Sequence, residues 1–364
     1  MPNRKVTADD VARAVGVSRS AVSRAFTPGA SVSPDTKQRI LQAATQLGYE
    51  PDAIARMLIK RQNNLVGVVM GNPANAFLSH LLTRLLDALQ AGGYFPLLFR
   101  VAEDGDFASV LPTVLQYRVA AIFVTGRTPS PQSAAQCMTA GTPVCVLNRW
   151  IGGDYPGHVV SCDHELGGRM AADHLVQAGY KRIALITSVS QMSNHQARVR
   201  GFTRRLSELG QRLAGFEDGA FTHESGMAAG LRLLAPLASP ARPDALFCTG
   251  DMLAFGALDA ARQLAVNVPA ALGVLGFDDV HMAAWPAYDL STVAQPIDAL
   301  VRHAVDFARQ MQSEGPCARV MLPPQLVQRG TTRLLRRAAS PRRTTAKVAR
   351  QTTATVTTAR SRKP

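Results

Sequence analysis

The 364-residue chain has few aromatics, 6% of its residues with only two Trp, and few cysteines for its length. The five, Cys137, Cys145, Cys162, Cys248 and Cys317, are odd in number, scattered and without C-x-x-C spacing. That excludes a disulfide framework or a zinc ribbon and predicts reduced core thiols in a cytosolic protein. No stretch approaches the roughly 18 consecutive apolar residues of a membrane span. The opening "MPNRKVTADD" has no apolar core of the kind an export signal carries, so a cytoplasmic location is expected. Catalytic and cofactor signatures are missing as well. No G-x-G-x-x-G follows a strand pattern, and neither a phosphate-binding Walker loop nor a G-x-S-x-G elbow occurs. Asp278 and Asp279 are adjacent, so their carboxylates need not converge as a catalytic pair would. His158, His164, His174 and His195 share no spacing that would gather them around a metal. No enzyme activity, cofactor or metal site is expected.

What the chain has in excess is basic charge: 40 Lys and Arg against 26 Asp and Glu, a net charge of +14. The excess is uneven. Residues 1–62 hold ten basic and five acidic side chains, and residues 331–364 hold ten basic and none acidic. The long middle is therefore near neutral. A basic head and tail on a neutral body point to an anionic partner met by the ends, with nucleic acid the leading candidate.

The head reads as short helices. Thr7 is a good N-cap for "ADDVARAV", with Asp9 and Asp10 in the first turn, and Val11, Ala12 and Val15 share one face. Gly16 ends that helix, and Ser18 caps a second one that turns Val22, Ala25 and Phe26 inward. This is the spacing of a helix-turn-helix. Ser33 and Pro34 open a third helix, predicted to bury Ile40, Leu41, Ala44 and Leu47 before Gly48 stops it. Pro51 begins a fourth, "PDAIARMLI", too short to hold together in water without a partner or ligand. On the second helix Ser18, Ser23 and the first-turn amides are suited to phosphates, while an arginine suits bidentate contact with guanine. A merely solvated basic face is the alternative for Arg19 and Arg24.

From residue 65 onward short apolar strands alternate with amphipathic helices. "LVGVVMG", "YFPLLFRV", "VAAIFVT" and "TPVCVLN" are predicted strands, and a second series holds "RIALIT", "DALFCTG" and "ALGVLGF". The alternation predicts doubly wound parallel sheets with binding sites at the carboxyl ends of the strands.

"DVARAVGVSRSAVSRAF" followed by "VSPDTKQRILQAATQLGYEPDAIARMLIKRQNNLVGVV" resembles the LacI/GalR family of bacterial transcriptional regulators. "VVSCDHELGG", "RVRGF", "FTHESGMAAG", "DALFCTGDMLAFGAL" and "VLGFDDV" extend the resemblance to roughly residues 5–335. It implies an all-α helix-turn-helix head, residues 1–50, and a hinge helix and linker, 51–62. A two-lobed α/β effector and dimerisation body of the periplasmic-binding-protein type would span 63–335, with lobes near 63–162 and 163–288 and crossover segments at 289–335. It further implies that Arg19, Ser20 and Arg24 reach base edges, and that Ala55 and Leu58 enter the minor groove. For Leu58, plain core packing is the alternative. Between the lobes it implies an effector site at Arg198 and Asp278, with Asn75, Phe77, Arg149, Asp163 and Asp251 around it. Asp163 can equally be a helix cap and Asp279 a turn residue. Gly250 departs from the family, whose members often carry Asn before the acid, and this removes an amide from the pocket wall. Val15 and Ala21 are milder departures.

The expected protein is a homodimeric or tetrameric repressor of carbohydrate or sugar-acid catabolic genes. Its partners are a near-palindromic DNA operator and a sugar or sugar-acid effector. A solute-binding transport protein, the rival, would carry an export signal and no basic head. The tail beyond residue 336, rich in Ala, Thr and Arg, is expected to be disordered.

Overall fold

In this computed structural model the first helix begins where Asp10 folds back on Thr7. The Asp10 carboxylate accepts from the Thr7 amide at 2.9 Å and from its hydroxyl at 2.7 Å. The structure describes residues 6–27, 29–50, 64–102, 105–126, 128–188, 193–235, 240–310 and 317–334. The predicted hinge, with Ala55 and Leu58, and the basic tail lie outside them.

Helices α1 (Ala8–Val15), α2 (Arg19–Ala25) and α3 (Pro34–Leu47) make the head. Gly16 ends α1 at φ 73°, a left-handed conformation only glycine adopts without strain. Ser18 caps α2 by accepting from the Ala21 amide, and Ser33 caps α3 by accepting from Thr36. Val11, Ala12, Val22, Ala25, Ile40 and Ala44 form one core, with Phe26 set edge-on to Tyr49 at 5.8 Å. Arg39 ties α3 to the end of α1 by donating to the Val15 carbonyl at 3.0 Å. One expectation fails here. Leu41 and Leu47 are 37% and 40% exposed, because two short helices cover only the Ile40–Ala44 stripe of α3.

The body holds two six-stranded sheets. The first combines β1 (Leu65–Met70), β2 (Phe95–Arg100), β3 (Ala121–Thr125), β4 (Val144–Leu147), β5 (His158–Cys162) and β11 (Arg319–Leu322). Their order is β11-β5-β4-β3-β1-β2, parallel throughout, with Val66 paired to both Pro96 and Ala121. The second combines β6 (Ile183–Ser188), β7 (Gly215–Gly219), β8 (Ala245–Cys248), β9 (Gly273–Asp278), β10 (Ser291–Ala294) and β12 (Gln325–Val327). Their order is β12-β10-β9-β8-β6-β7, with only β12 antiparallel. Central strands such as β3, β4, β6 and β8 are buried along their whole length, which is why they read as continuous apolar runs.

Helices α4 (Ala76–Ala91), α5 (Leu111–Gln116) and α6 (Pro131–Thr139) flank the first sheet. Helices α7 (His164–Gln177), α8 (Ser193–Glu208), α9 (His223–Leu234) and α10 (Asp251–Gln263) flank the second. The chain passes between sheets three times: from β5 into α7, from β10 into α11 (Ile297–Gln310), and from β11 into β12. Helix α11 returns to the first sheet, where Phe307 packs edge-on to Phe123 at 5.7 Å. Two passages are joined directly, since the Asp163 amide donates to the Leu322 carbonyl at 2.8 Å.

Close helix crossings fix the second lobe. A Cβ on Gly168 of α7 would stand 2.2 Å from the Arg198 carbonyl of α8, and one on Gly201 would stand 2.0 Å from the Glu165 carbonyl. No larger residue fits at either position. The four cysteines in the sheets and on α6 are buried free thiols, and Cys317 is partly exposed. Burial pushes the Cys145 and Cys162 thiols up to about 12, so they stay protonated and unreactive. Among the described residues no helix is long and apolar enough to cross a membrane.

Candidate functional sites: a basic helix face and an interlobe cavity

Helix α2 presents two faces. Val22 and Ala25 are buried, whereas Arg19, Ser20, Ser23 and Arg24 are exposed. At about 100° per residue those four span roughly 140° of one side of the helix. Ser18 spends its hydroxyl on the cap and on the Ser20 hydroxyl at 2.9 Å, so part of the serine content is structural. Among the described residues Arg19 has a loose contact of 3.8 Å to Asp9, with both side chains largely exposed. Such a pair stabilises little and leaves the guanidinium available.

Between the lobes, the strand ends converge on a cavity in two parts. The outer part, about 390 Å³, is bordered by Asn72 and Asn75 from the first lobe and by His195, Phe221, Glu224 and Met252 from the second. The inner part, about 40 Å³, is bordered by Phe77, Asn148 and Arg149 from the first lobe and by Asn194, Arg198 and Asp278 from the second. Asn148 follows β4, Asp278 closes β9, and Asn75 caps α4 by accepting from the Leu78 amide at 2.9 Å. Binding at carboxyl ends of parallel strands follows from the fold.

Arg198 organises the inner end. Its guanidinium pairs with Asp278 at 2.9 Å, donates to the Thr249 carbonyl at 2.6 Å and to Nδ1 of His164 at 3.2 Å. Its flat face rests 3.8 Å from the centre of the Phe277 ring. Arg198 is 2% exposed, so the cation is largely removed from water and depends on these partners. Burial raises the Asp278 carboxyl, opposed by Arg198 and by the Gln295 amide, which donates at 2.6 Å. Asp278 sits at φ 115°, an uncommon backbone conformation held by this network. Asp279 turns at φ 55° and pairs with Arg329 at 2.7 Å, the structural role left open from sequence.

Two expected contacts are not brought to the cavity. Asp251 is fully buried, accepting from the Val280 amide at 2.8 Å and from the Thr292 hydroxyl at 2.6 Å. Its carboxylate clamps the turn after β9 to β10 behind the site, and Gly276 leaves it room, since a Cβ there would meet Oδ1 at 2.3 Å. Asp163 caps α7 through the Leu166 amide at 2.9 Å and borders neither part of the cavity. Phe77 is largely core and only edges the inner part.

Sequence reasoning missed His195, Asn148, Asn194 and Phe221. His195 precedes Arg198 by three residues on α8, the spacing that puts both on one helix face. Burial, then Arg198 and Arg149, push its imidazole down to about 3, so it is neutral. Phe221 packs edge-on to His195 at 4.9 Å and leans over Gly250, where a Cβ would stand 2.2 Å from its ring. The missing side chain at Gly250 is thus filled by an aromatic face. Among the described residues no cluster of His, Cys, Asp or Glu is arranged to hold a metal ion.

Residues 7–52 match the profile of bacterial regulatory proteins of the lacI family, and residues 172–332 match a periplasmic binding protein-like domain. The HTH-type transcriptional regulator GalS of Salmonella typhimurium is 30% identical over 307 residues, covering 84% of this chain and 89% of that one. The ribose operon repressor of Escherichia coli is 29% identical, covering 89% and 99%. The Lac repressor dimer bound to operator and an anti-inducer superposes with a TM-score of 0.80 at 25% identity, over 90% and 99% of the two chains. With its three-helix head, exposed basic helix face and two-lobed body around an interlobe cavity, the chain belongs to the lacI family of DNA-binding transcriptional regulators.

Proposed function

We propose that the protein is a homodimeric repressor of carbohydrate catabolic genes, acting in the cytoplasm and released from DNA by a polyhydroxylated effector bound between the lobes. The carrying observation is the buried Arg198–Asp278 pair at the inner end of a cavity that Phe221 flanks. A guanidinium and a carboxylate side by side complement hydroxyls, which donate and accept at once, and an aromatic face complements the C–H side of a sugar. The site binds and does not catalyse: Asp278 is engaged by Arg198 and Gln295 and is not disposed as a general base.

On this reading residues 1–50 form the DNA-reading head, 51–62 the hinge, 63–335 the effector and dimerisation body, and 336–364 a basic tail. Arg19, Ser20 and Arg24 read base edges while Ser18 and Ser23 meet phosphates. Two heads on a dimer read two half-sites of a near-palindrome. Ala55 and Leu58, in the hinge, act in the minor groove. Relatives support the DNA and sugar readings: one structural neighbour is a Lac repressor dimer on its operator, and one relative is a ribose operon repressor. The test is operator binding by the purified full-length protein, using palindromes from its own upstream region with and without sugars. Equal affinity for random DNA refutes the repressor reading, and an affinity unmoved by any sugar refutes the effector reading.

A further inference from the structure

The carboxyl ends of the parallel strands in both sheets face each other across the cavity. The chain enters the first sheet at Leu65, the amino end of β1, just after the predicted linker from the head. The amino ends of the second sheet therefore form the pole of the body opposite the one that the head is joined to.

The body is close to neutral as a whole, but this pole is not. Lys181 and Arg182 stand at the start of β6, Arg212 before β7, Arg242 before β8 and Arg333 after β12. Backbone contacts hold them in one patch. Nε of Arg182 donates to the Arg242 carbonyl at 2.7 Å, and the Ala214 amide donates to the Ile183 carbonyl at 2.9 Å. The Arg333 amide donates to the Tyr180 hydroxyl at 3.0 Å, and its guanidinium lies 4.4 Å from the centre of that ring. Lys181, Arg182 and Arg212 are exposed.

The neighbouring acids do not cancel this charge. Asp244 is turned inward, accepting from the Lys181 amide at 3.0 Å and from the Arg182 amide at 2.8 Å, with its side chain 13% exposed. Glu208, four residues before Arg212, is held by Arg169, Arg204 and Arg205. Asp289, exposed just before β10, remains against the five cations. Residues 335–364 continue from this pole with nine more basic side chains and no acid.

The order β8-β6-β7 puts Arg242, Lys181, Arg182 and Arg212 on three adjacent strands, a width of about 10 Å. That width spans about three consecutive phosphates of one DNA strand. Four of the five cations are arginines, whose planar fork takes two phosphate oxygens at once. They stand at strand starts, on no helix or ribbon that could enter a groove, so the patch suits backbone and not base edges.

We propose that the outer pole of the second lobe is a second DNA-binding surface, which holds the phosphate backbone of a duplex without reading its sequence. A dimer with its heads on an operator then carries another DNA segment at the opposite end of its body. The surface is separate from the head; the bridging it produces rests on the head's binding DNA.

The test uses the full-length dimer on an immobilised duplex that carries a palindrome from its own upstream region, followed by a short fluorescent duplex of unrelated sequence. The parent is expected to retain the second duplex at low salt and to release it steeply as salt rises. Lys181→Glu combined with Arg212→Glu is expected to lower that retention about tenfold or more. The same variant should be captured by the first duplex as before, which also shows that it is folded. Removing residues 335–364 is expected to lower retention and to leave a remainder that the two substitutions abolish. A parent that retains no second duplex at low salt overturns the proposal, and so does retention unchanged by the two substitutions. A loss that truncation accounts for in full, with the substitutions adding nothing, assigns the binding to the tail and overturns the pole. Failure of the parent to bind the first duplex overturns the head reading instead. Direct titration of the fluorescent duplex then decides the pole: weaker binding in the variant than in the parent supports it, and equal binding overturns it.

Discussion

Arg198 and Asp278 meet at 2.9 Å with both side chains nearly inaccessible to water, one from α8 and the other from the last position of β9. Removing one partner strands the other as an uncompensated buried charge, which costs about 3–5 kcal/mol. Asp278→Ala and Arg198→Met are each expected to lower the unfolding midpoint, and the pair of changes together to cost less than their sum. A double-mutant cycle by denaturant unfolding measures this, and strictly additive losses would refute the coupling. Both single variants should also lose the effector response.

On the head, Arg19→Ala is expected to relax specificity at one base pair per half-site, by about 1–3 kcal/mol of discrimination. Ser23→Ala should instead weaken all sequences alike and leave the ranking of operators unchanged. Competition binding against a library of single-base operator variants separates the two. Uniform weakening in Arg19→Ala would reassign that arginine to phosphate.

The sheet-to-helix framework of the second lobe predicts acid sensitivity. His174 is buried against the Thr332 hydroxyl at 2.8 Å, and burial pushes its imidazole down to about 4. The folded state therefore keeps this histidine neutral over a range where the unfolded chain, near pH 6.5, takes up a proton. Its contribution to stability is complete above pH 6.5 and is lost as the pH falls toward 4. His195, pushed down to about 3, adds to the same trend. Thermal midpoints between pH 7 and 4 should fall less steeply for His174→Gln than for the parent; parallel curves would refute the assignment.

Gly250 offers a direct test of how the cavity is shaped. Its φ of −170° is extended backbone open to any residue, so a side chain there is opposed chiefly by the Phe221 ring, with Oδ2 of Asp278 next at 3.4 Å. Gly250→Asn is expected to displace that ring and change effector affinity by about tenfold, or 1.4 kcal/mol. Operator binding without effector should hardly move. Unchanged effector affinity would show that the ring does not meet the ligand.

Much of this was legible in the sequence because the signals were local. Gly16 marks a helix end by a left-handed backbone that few residues adopt, Ser18 and Ser33 mark helix starts by side-chain caps, and β3, β4, β6 and β8 are read from buried runs. Strand β7, with Gly at both ends, and β12, only three residues long, carry no periodicity to detect. The cavity was half legible. Arg198 and Asp278 stand in recognisable motifs, but a carboxylate at a strand end does not announce which way it points. Asp251 faces inward because Val280 and Thr292, distant in the chain, supply its donors. His195 faces the cavity because α8 turns there, and Phe221 arrives from after β7; neither position has a pattern of its own.

The three passages between the sheets set what a ligand can change. A single connecting strand would act as a swivel, open to rotation in any direction. Three passages, two of them bonded to each other between Asp163 and Leu322, act more like the pins of a door. Opening and closing then reduces to one angle about one axis, and Arg198 and Asn148, on opposite leaves, sit where that angle is read. A ligand need not reshape either lobe to be sensed at the head. It has only to favour one setting of the door, and a preference of about 1–3 kcal/mol is enough to be felt as regulation.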